Sequence, residues 1–151
     1  MQYFSKKKLI LPDGFFINSE EIPSPRLINN LLVSSGSDFF ANDKLYQAIK
    51  NSNFFFAICN ESKRQVFGFV RVTSDKGLNA NLWNLCAQPG KNQKVFYSIL
   101  LRLTLEKINR EMPGCSISVQ APSSSFESLE EIGFVLDPNG IRVMGLSLIH
   151  I

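Results

Sequence analysis

The sequence predicts a single α/β (α+β) domain, in which a central mixed, mostly antiparallel sheet of about seven strands carries helices on both faces. The chain has 151 residues, the size of one domain that can bury a core of its own. Strand-like and helix-like apolar patterns follow one another without a repeat or a linker, so we expect residues 1–151 to form one domain. Strands joined by short turns alternate with strands joined through a helix, which favours antiparallel and parallel pairing respectively.

The N-terminal part of the chain is predicted to contain one strand and two helices. Residues 9–12 form the strand, which ends at a Pro-Asp-Gly turn signal. Ser24 followed by Pro25 indicates a helix start, because a capping hydroxyl then precedes a proline at the first helical position. That helix extends to Ser34, and Asn42 is expected to cap a second helix.

The middle of the chain is predicted to form a hairpin, a third strand and a long helix. Residues 54–58 and 66–72 are apolar strands separated by a polar turn, so we expect them to pair as an antiparallel hairpin. Residues 81–88 form the next strand, which stops at Pro89. The helix over residues 91–110 is mostly buried, because its polar residues form a single stripe.

The C-terminal part is predicted to add a strand, a short helix and a last hairpin. Residues 115–119 form the strand. Residues 123–132 form a helix with a serine cap, which Gly133 ends. Residues 134–136 and 141–148 flank an Asp-Pro-Asn-Gly turn and complete the sheet as a hairpin.

Charge and hydropathy exclude several classes of function. The net charge is +3 and the basic residues are scattered, whereas nucleic-acid binders concentrate them in a patch or stripe, so we expect no nucleic-acid partner. The lysines at 6–8 are expected to be solvated. No apolar run reaches the roughly 18 residues of a membrane span, and the N-terminus lacks the apolar segment of a secretory signal. No membrane association is therefore expected.

Cysteine and histidine usage bears on compartment and on metal binding. Cys59, Cys86 and Cys115 are widely spaced and form no Cys-x-x-Cys pair, so reduced thiols in a cytoplasmic protein are the expected state. His150 is the only histidine, so neither a histidine-based triad nor a multi-histidine metal site is available. The sequence therefore predicts no metal.

Local motifs give the chain a family resemblance. They are GFVRVTSD at 68–75, NANLWN at 79–84, IGF at 132–134 and DPNGIR at 137–142. Together with roughly residues 27–146 around them, these motifs resemble the cyanobacterial and plastid branch of the GNAT superfamily. That branch includes chloroplast enzymes described as serotonin N-acetyltransferases. The resemblance implies the GNAT fold and transfer of an acetyl group from acetyl-CoA to an amine acceptor, either a small molecule or a protein.

The resemblance also implies a cofactor site at the fourth strand and at the turn into the long helix, where backbone N–H groups hold the acetyl-CoA pyrophosphate. The glycines of the family pattern fall on Gln93, Val95 and Tyr97, so side chains stand where the family leaves bare backbone. We therefore expect a degraded cofactor loop with low CoA affinity. The matching positions are Leu85, Cys86, Ala87, Gln88, Asn92, Gln93, Lys94, Val95, Phe96 and Tyr97.

The catalytic and substrate positions depart from the family as well. The resemblance implies a carboxylate and a tyrosine at positions that hold Asn84 and Leu129 here. Neither an amide nor a leucine transfers a proton at neutral pH, so the catalytic residues stay unassigned. Candidates for the substrate cleft are Asp75, Asn79 and Trp83. Turn formation is the alternative for the first two, and core packing is the alternative for the tryptophan.

Two functions stay open on these residues. The first is an N-acetyltransferase with a divergent cofactor site, which fold and ancestry support. The second is a non-catalytic GNAT-fold binding or protein-interaction module, which the combined loss of the glycines, the tyrosine and the carboxylate supports. In either case residues 146–151 form an apolar strand that can pair across subunits, which predicts a homodimer.

Overall fold

A five-stranded sheet forms the centre of the computed structural model, which describes residues 9–62 and 65–146. The first four strands pair antiparallel, and the fifth runs parallel to the fourth because a helix connects them. The predicted mixed, mostly antiparallel sheet is therefore confirmed. In their order across the sheet the strands are β1 Phe15–Asn18, β2 Phe54–Asn60, β3 Val66–Ser74, β4 Asn79–Ala87 and β5 Ser116–Val119.

Helices cover both faces of this sheet, as predicted. The first two pack on one face and the third packs on the other. The first helix begins at Pro25, although the Ser24 hydroxyl makes no capping bond; the Ser24 carbonyl accepts the N–H of Leu27 at 2.9 Å. The helices are α1 Pro25–Ser34, α2 Asn42–Lys50, α3 Gln93–Glu111 and α4 Phe126–Glu131.

The core consists of two apolar clusters, one on each face of the sheet. Phe69 of β3 belongs to the cluster under α1 and α2, whereas the next residue, Val70, belongs to the cluster under α3. Successive side chains of a strand point to opposite faces, so a strand covered on both faces is apolar along its whole length. Gly68 lets α3 approach β3 closely, because a Cβ at this position would lie 3.0 Å from Leu100 Cδ1.

The predicted first strand is wrong in position. Residues 9–12 are not a strand, and β1 begins only at Phe15, which pairs with Asn60 of β2. Pro12 has no N–H to donate to a strand ladder. Its carbonyl instead accepts the Phe15 N–H at 3.4 Å, which closes a turn before the strand begins.

The predicted final hairpin is wrong for the part of the chain that the structure describes, which has five strands in place of about seven. Residues 134–136 and 141–146 are irregular. Phe134 is half-buried against the core, but the apolar side chains at 135–136 and 141–146 are exposed, Met144 to 94%. A hairpin without an apolar surface to cover has too little to stabilise it. Residues 147–151, most of the strand predicted to form a homodimer, lie outside the described residues, as do the lysines at 6–8. The homodimer stays a prediction.

Candidate functional site

β4 and β5 separate at the C-terminal end of β4. Their pairing ends at Leu82 and Val119, whereas β4 continues to Ala87. Within the described residues, the last part of β4 therefore has a strand partner only on its β3 side. The backbone at this edge of β4 is left available to a ligand or to side chains.

A β-bulge lies at the point where the two strands separate. Phe69 pairs with Cys86 and Arg71 pairs with Trp83, so one residue of β3 stands opposite two residues of β4, Asn84 and Leu85. Asn84 has a φ of +55°, in the left-handed region that asparagine tolerates better than most residues. Asn84 thus lies in the bulge, at the point where β4 and β5 separate.

Asn84 holds a half-buried arginine rather than offering a base. The Arg71 Nε donates to Asn84 Oδ1 at 2.7 Å, and the Arg71 guanidinium carbon lies 5.8 Å from the centre of the Trp83 ring. Burial lowers the pKa of Arg71 from its ordinary value. Trp83 Nε1 donates to Thr73 Oγ1 at 2.7 Å, so the tryptophan belongs to this cluster and does not line the cleft described next.

A cleft of about 400 Å³ opens beside the bulge, and we call it the bulge cleft. Asp38 is the one charged side chain among its described lining residues. Most of this lining could not be predicted from the sequence, because the α1–α2 loop and the segment after β5 meet β4 only in the folded chain. The lining residues are Leu32, Ser37, Asp38, Phe40, Asn84, Leu85, Gln120, Ala121 and Pro122.

Beyond the end of β4, protein contacts already engage the side chains of the predicted cofactor turn. Gln88 Oε1 accepts from the Ser34 hydroxyl at 3.0 Å, and Gln93 Nε2 donates to the Ala87 carbonyl at 3.0 Å. Lys94 Nζ lies 2.7 Å from a carboxylate oxygen of Glu127 and 3.0 Å from one of Glu131, both on α4. Its hydrogen bond to Glu127 raises the pKa of Lys94. The charge of Lys94 is therefore already balanced by α4.

Tyr97 fills the space between the end of β4 and the segment before α4. The side chain is 0% exposed, and its hydroxyl lies 2.7 Å from Ser124 Oγ. We call the space bounded by Ala87, the first turns of α3 and Ser124 the donor groove. Because Tyr97 occupies it, this conformation does not fit the arm of a CoA molecule whose pyrophosphate lies at the turn and whose acyl group lies at β4.

The remaining predicted cofactor residues are mostly core residues. Cys86 and Ala87 are buried on β4, and burial raises the pKa of the Cys86 thiol. Phe96 is buried and meets the Phe15 ring edge-on, with the two ring centres 5.1 Å apart. Asn92 and Val95 are half-buried at the start of α3. The burial of the strand and helix residues leaves the turn itself as the accessible part.

Leu129, at the family's tyrosine position, is 3% exposed. It lines a small pocket of about 70 Å³ between β5 and α4, together with residues such as Val119 and Phe126. The position is therefore part of the apolar core. Its side chain has no group that can transfer a proton.

Asp75 lies in the β3–β4 turn and Asn79 is the first residue of β4, and neither lines the bulge cleft. Asp75 Oδ1 accepts the N–H groups of Asn79 at 3.0 Å, Gly77 at 2.9 Å and Leu78 at 2.7 Å. These bonds, the one from Asn79 first, lower the pKa of Asp75 to about 2. The structure thus gives Asp75 a part in holding the turn.

We expect replacement of Asp75 with asparagine to remove a pH-dependent part of the stability. A carboxyl with a lowered pKa in the folded state stabilises the fold above its unfolded pKa, and this contribution is lost as pH falls. The window runs from the ordinary value of 3.8 down to about 2. The measurement is the thermal midpoint of wild type and Asp75→Asn between these pH values. Equal acid slopes for the two proteins would contradict the assignment.

Several absences concern only the described part of the chain. No group of His, Cys, Asp and Glu residues there could hold a metal ion. No helix among residues 9–62 and 65–146 is long and apolar enough to cross a membrane. The three cysteines form no disulfide.

Comparison with known proteins adds sequence relatives. No family profile matches the chain. The uncharacterized N-acetyltransferase ycf52 of Porphyra purpurea is 27% identical over 144 residues, which cover 91% of this chain and 79% of that protein. The probable acetyltransferase TAP2 of Glycine max is 28% identical over 160 residues, which cover 89% of this chain. The match covers 63% of the Glycine max protein.

Comparison with solved structures adds a match in fold. A probable acetyltransferase of unknown function from Staphylococcus aureus superposes with a TM-score of 0.76 at 14% identity. The match covers 87% of this chain and 99% of the other. At this identity the likeness concerns the fold alone.

Proposed function

We propose that this chain is an N-acetyltransferase with a narrowed donor groove. Its GNAT fold and its similarity to the plastid N-acetyltransferases support this proposal. The protein acetylates an amine held in the bulge cleft, and acetyl-CoA is the acyl donor. The observation that carries the proposal is the position of the cleft, which reaches the edge of β4 at Asn84 and Leu85 where β5 has separated. The acceptor and the strand backbone meet at this point.

The residues of the cleft act by positioning. Direct attack of an amine on an acyl carbonyl gains most from holding the two groups together and from N–H groups aimed at the carbonyl oxygen. The β4 backbone at Leu85 supplies such an edge, and the apolar walls at Leu32 and Phe40 exclude water from an acceptor. Asp38 attracts a basic acceptor to the cleft. We assign no proton-transfer residue, because Asn84 and Leu129 cannot take that role.

A second candidate is a non-catalytic GNAT-fold module that binds a ligand or a protein through the bulge cleft. The observation that favours it is Tyr97, whose buried side chain closes the donor groove. The side chains of Gln93 and Lys94 are likewise committed to protein partners. A protein that does not bind an acyl donor would tolerate these contacts of Tyr97, Gln93 and Lys94.

The test is thiol release from acetyl-CoA in the presence of a panel of primary amines, combined with calorimetric titration of acetyl-CoA. We expect turnover at millimolar donor, and we expect Asp38→Asn to lower kcat/KM for basic amines about tenfold, since one hydrogen bond to a charged group is lost. Asp43→Asn is the matched control, because Asp43 is an exposed acid of α2 that does not line the cleft. If the protein shows no binding and no turnover at millimolar acetyl-CoA, the N-acetyltransferase proposal is wrong and the non-catalytic module remains.

A further inference from the structure

We infer that Tyr97 is the residue that decides donor access: its side chain occupies the donor groove in place of the pantetheine arm of coenzyme A, and a pantetheine-linked donor binds only when Tyr97 leaves. The inference deepens the proposed function and rests on it for the identity of the donor. That the protein's own side chain fills the groove follows from the contacts of Tyr97 alone.

The first contact joins two elements that border the groove. Tyr97 lies in the second turn of α3, which begins at Gln93. Its hydroxyl reaches Ser124 Oγ at 2.7 Å, in the turn Ser123–Ser125 that precedes α4. The ring therefore spans the whole distance between α3 and this turn. A side chain that is 0% exposed leaves no parallel path for a second chain of atoms at this level.

The second contact of Tyr97 is with the backbone of Ala87, whose N–H a pantetheine arm in the groove would also need. The Gln88 N–H donates to the Phe67 carbonyl at 2.7 Å and so faces β3. Successive N–H groups of a strand point to opposite sides, so the N–H of Ala87 faces the groove. Burial raises the pKa of Tyr97. The Ala87 backbone acts against this rise, which is the effect of an N–H that faces the hydroxyl oxygen.

The carbonyl of Ala87 is engaged in the same way. Gln93 Nε2 donates to it at 3.0 Å, from the first residue of α3. The carbonyl of Ala87 therefore has a partner within the protein, and its N–H faces the Tyr97 side chain. A pantetheine arm, which contains amide groups, would have to replace Tyr97 and Gln93 at these positions.

The ion pairs at the groove oppose its opening only weakly. The ion pairs of Lys94 with Glu127 and Glu131 join α3 to α4 at the groove, but all three side chains are more than half exposed, and exposed pairs are weak. Ser124 is exposed as well. If the open form is populated at about 1–10%, the apparent donor affinity falls about ten- to a hundredfold below that of an open groove.

The experiment measures binding of pantetheine and, separately, of adenosine 3′,5′-bisphosphate to the full chain by calorimetry. We expect Tyr97→Ala to bind pantetheine about ten- to a hundredfold more tightly than wild type, since the closed form is removed. Tyr97→Phe keeps the ring but loses the hydroxyl that meets Ser124, so its gain should be smaller than that of Tyr97→Ala. The nucleotide does not enter the groove, so its affinity should stay the same. Tyr46→Ala is the matched control, because Tyr46 is 45% exposed on α2.

Two further measurements decide the matter if Tyr97→Ala does not fold. Ser124→Ala changes an exposed residue and frees the Tyr97 hydroxyl, so pantetheine should bind more tightly than to wild type, though less tightly than to an open groove. In the absence of any donor, Tyr97→Phe should speed amide hydrogen exchange at Ala87, because the hydroxyl oxygen that its N–H faces is removed, whereas Tyr46→Phe should not.

The outcomes separate this inference from the proposed function. Unchanged pantetheine affinity in the folded Tyr97→Ala and Ser124→Ala variants, or unchanged exchange at Ala87 in Tyr97→Phe, would overturn the role of Tyr97. Tighter pantetheine binding without any acetyl transfer would support that role and overturn the proposed function. Turnover by wild type with no change in pantetheine affinity between the variants would support the proposed function and overturn the role of Tyr97.

Discussion

Replacing Phe69 with alanine is expected to lower the free energy of unfolding by about 3–5 kcal/mol, the range for a fully buried phenylalanine. Phe69 lies at the centre of β3, is 0% exposed and stacks on Phe55 with ring centres 6.1 Å apart. Removal of the ring leaves a cavity under α1, where Ile28 and Leu31 are also fully packed. Close-packed side chains on both sides limit how far this site can collapse.

The measurement is urea unfolding of Phe69→Ala and of Phe39→Ala, the matched control. Phe39 is 72% exposed in the α1–α2 loop, so its truncation should change the free energy of unfolding by at most about 0.5 kcal/mol. Phe69 also pairs with Cys86 beside the bulge, so any donor or acceptor binding should weaken in parallel. Equal losses for the two variants would contradict the described core.

Replacing Asn84 with valine is expected to lower the free energy of unfolding by about 2–4 kcal/mol, because two costs combine. A β-branched residue is strained at a φ of +55°, and the Arg71 guanidinium loses the acceptor that lies 2.7 Å from its Nε. Since Asn84 and Leu85 form one wall of the bulge cleft, a shift of register here should also abolish binding at the cleft.

Asn84→Gly separates the two costs. Glycine adopts a positive φ without strain, so this variant loses only the hydrogen bond to Arg71 and should keep the bulge. We expect it to be more stable than Asn84→Val by about 1–3 kcal/mol. Equal stabilities would mean that the backbone at this position carries no strain, and the bulge would then need another cause.

The sequence predicted the elements whose signals are local. Pro25 marked the start of α1, and the single polar stripe predicted the long buried helix that is observed as Gln93–Glu111. The hairpin of β2 and β3 followed from two apolar runs around a polar turn. The last hairpin failed because alternating apolar residues such as Ile141 and Val143 predict a strand only if a surface exists for them to cover.

The candidate site divides in the same way. Family spacing placed Gln93, Val95 and Tyr97 at the glycine positions, and it placed Asn84 and Leu129 at positions that need a carboxylate and a tyrosine. Spacing along the chain determines which residue stands at each family position. It does not determine the orientation or the contacts of that side chain, since these depend on neighbours distant in sequence.

The sequence by itself determined the fold class, the long buried helix to within two residues at each end and the absence of the usual chemical groups, because periodicity, turn residues and residue types are properties of short segments. Only the tertiary structure decided that Tyr97 reaches Ser124 and Ala87, that Asn84 bonds Arg71, and that Asp38 lies in the bulge cleft. These contacts join residues from different elements. Their geometry follows from the separation of β4 from β5 and from the packing of helices on both faces of the sheet.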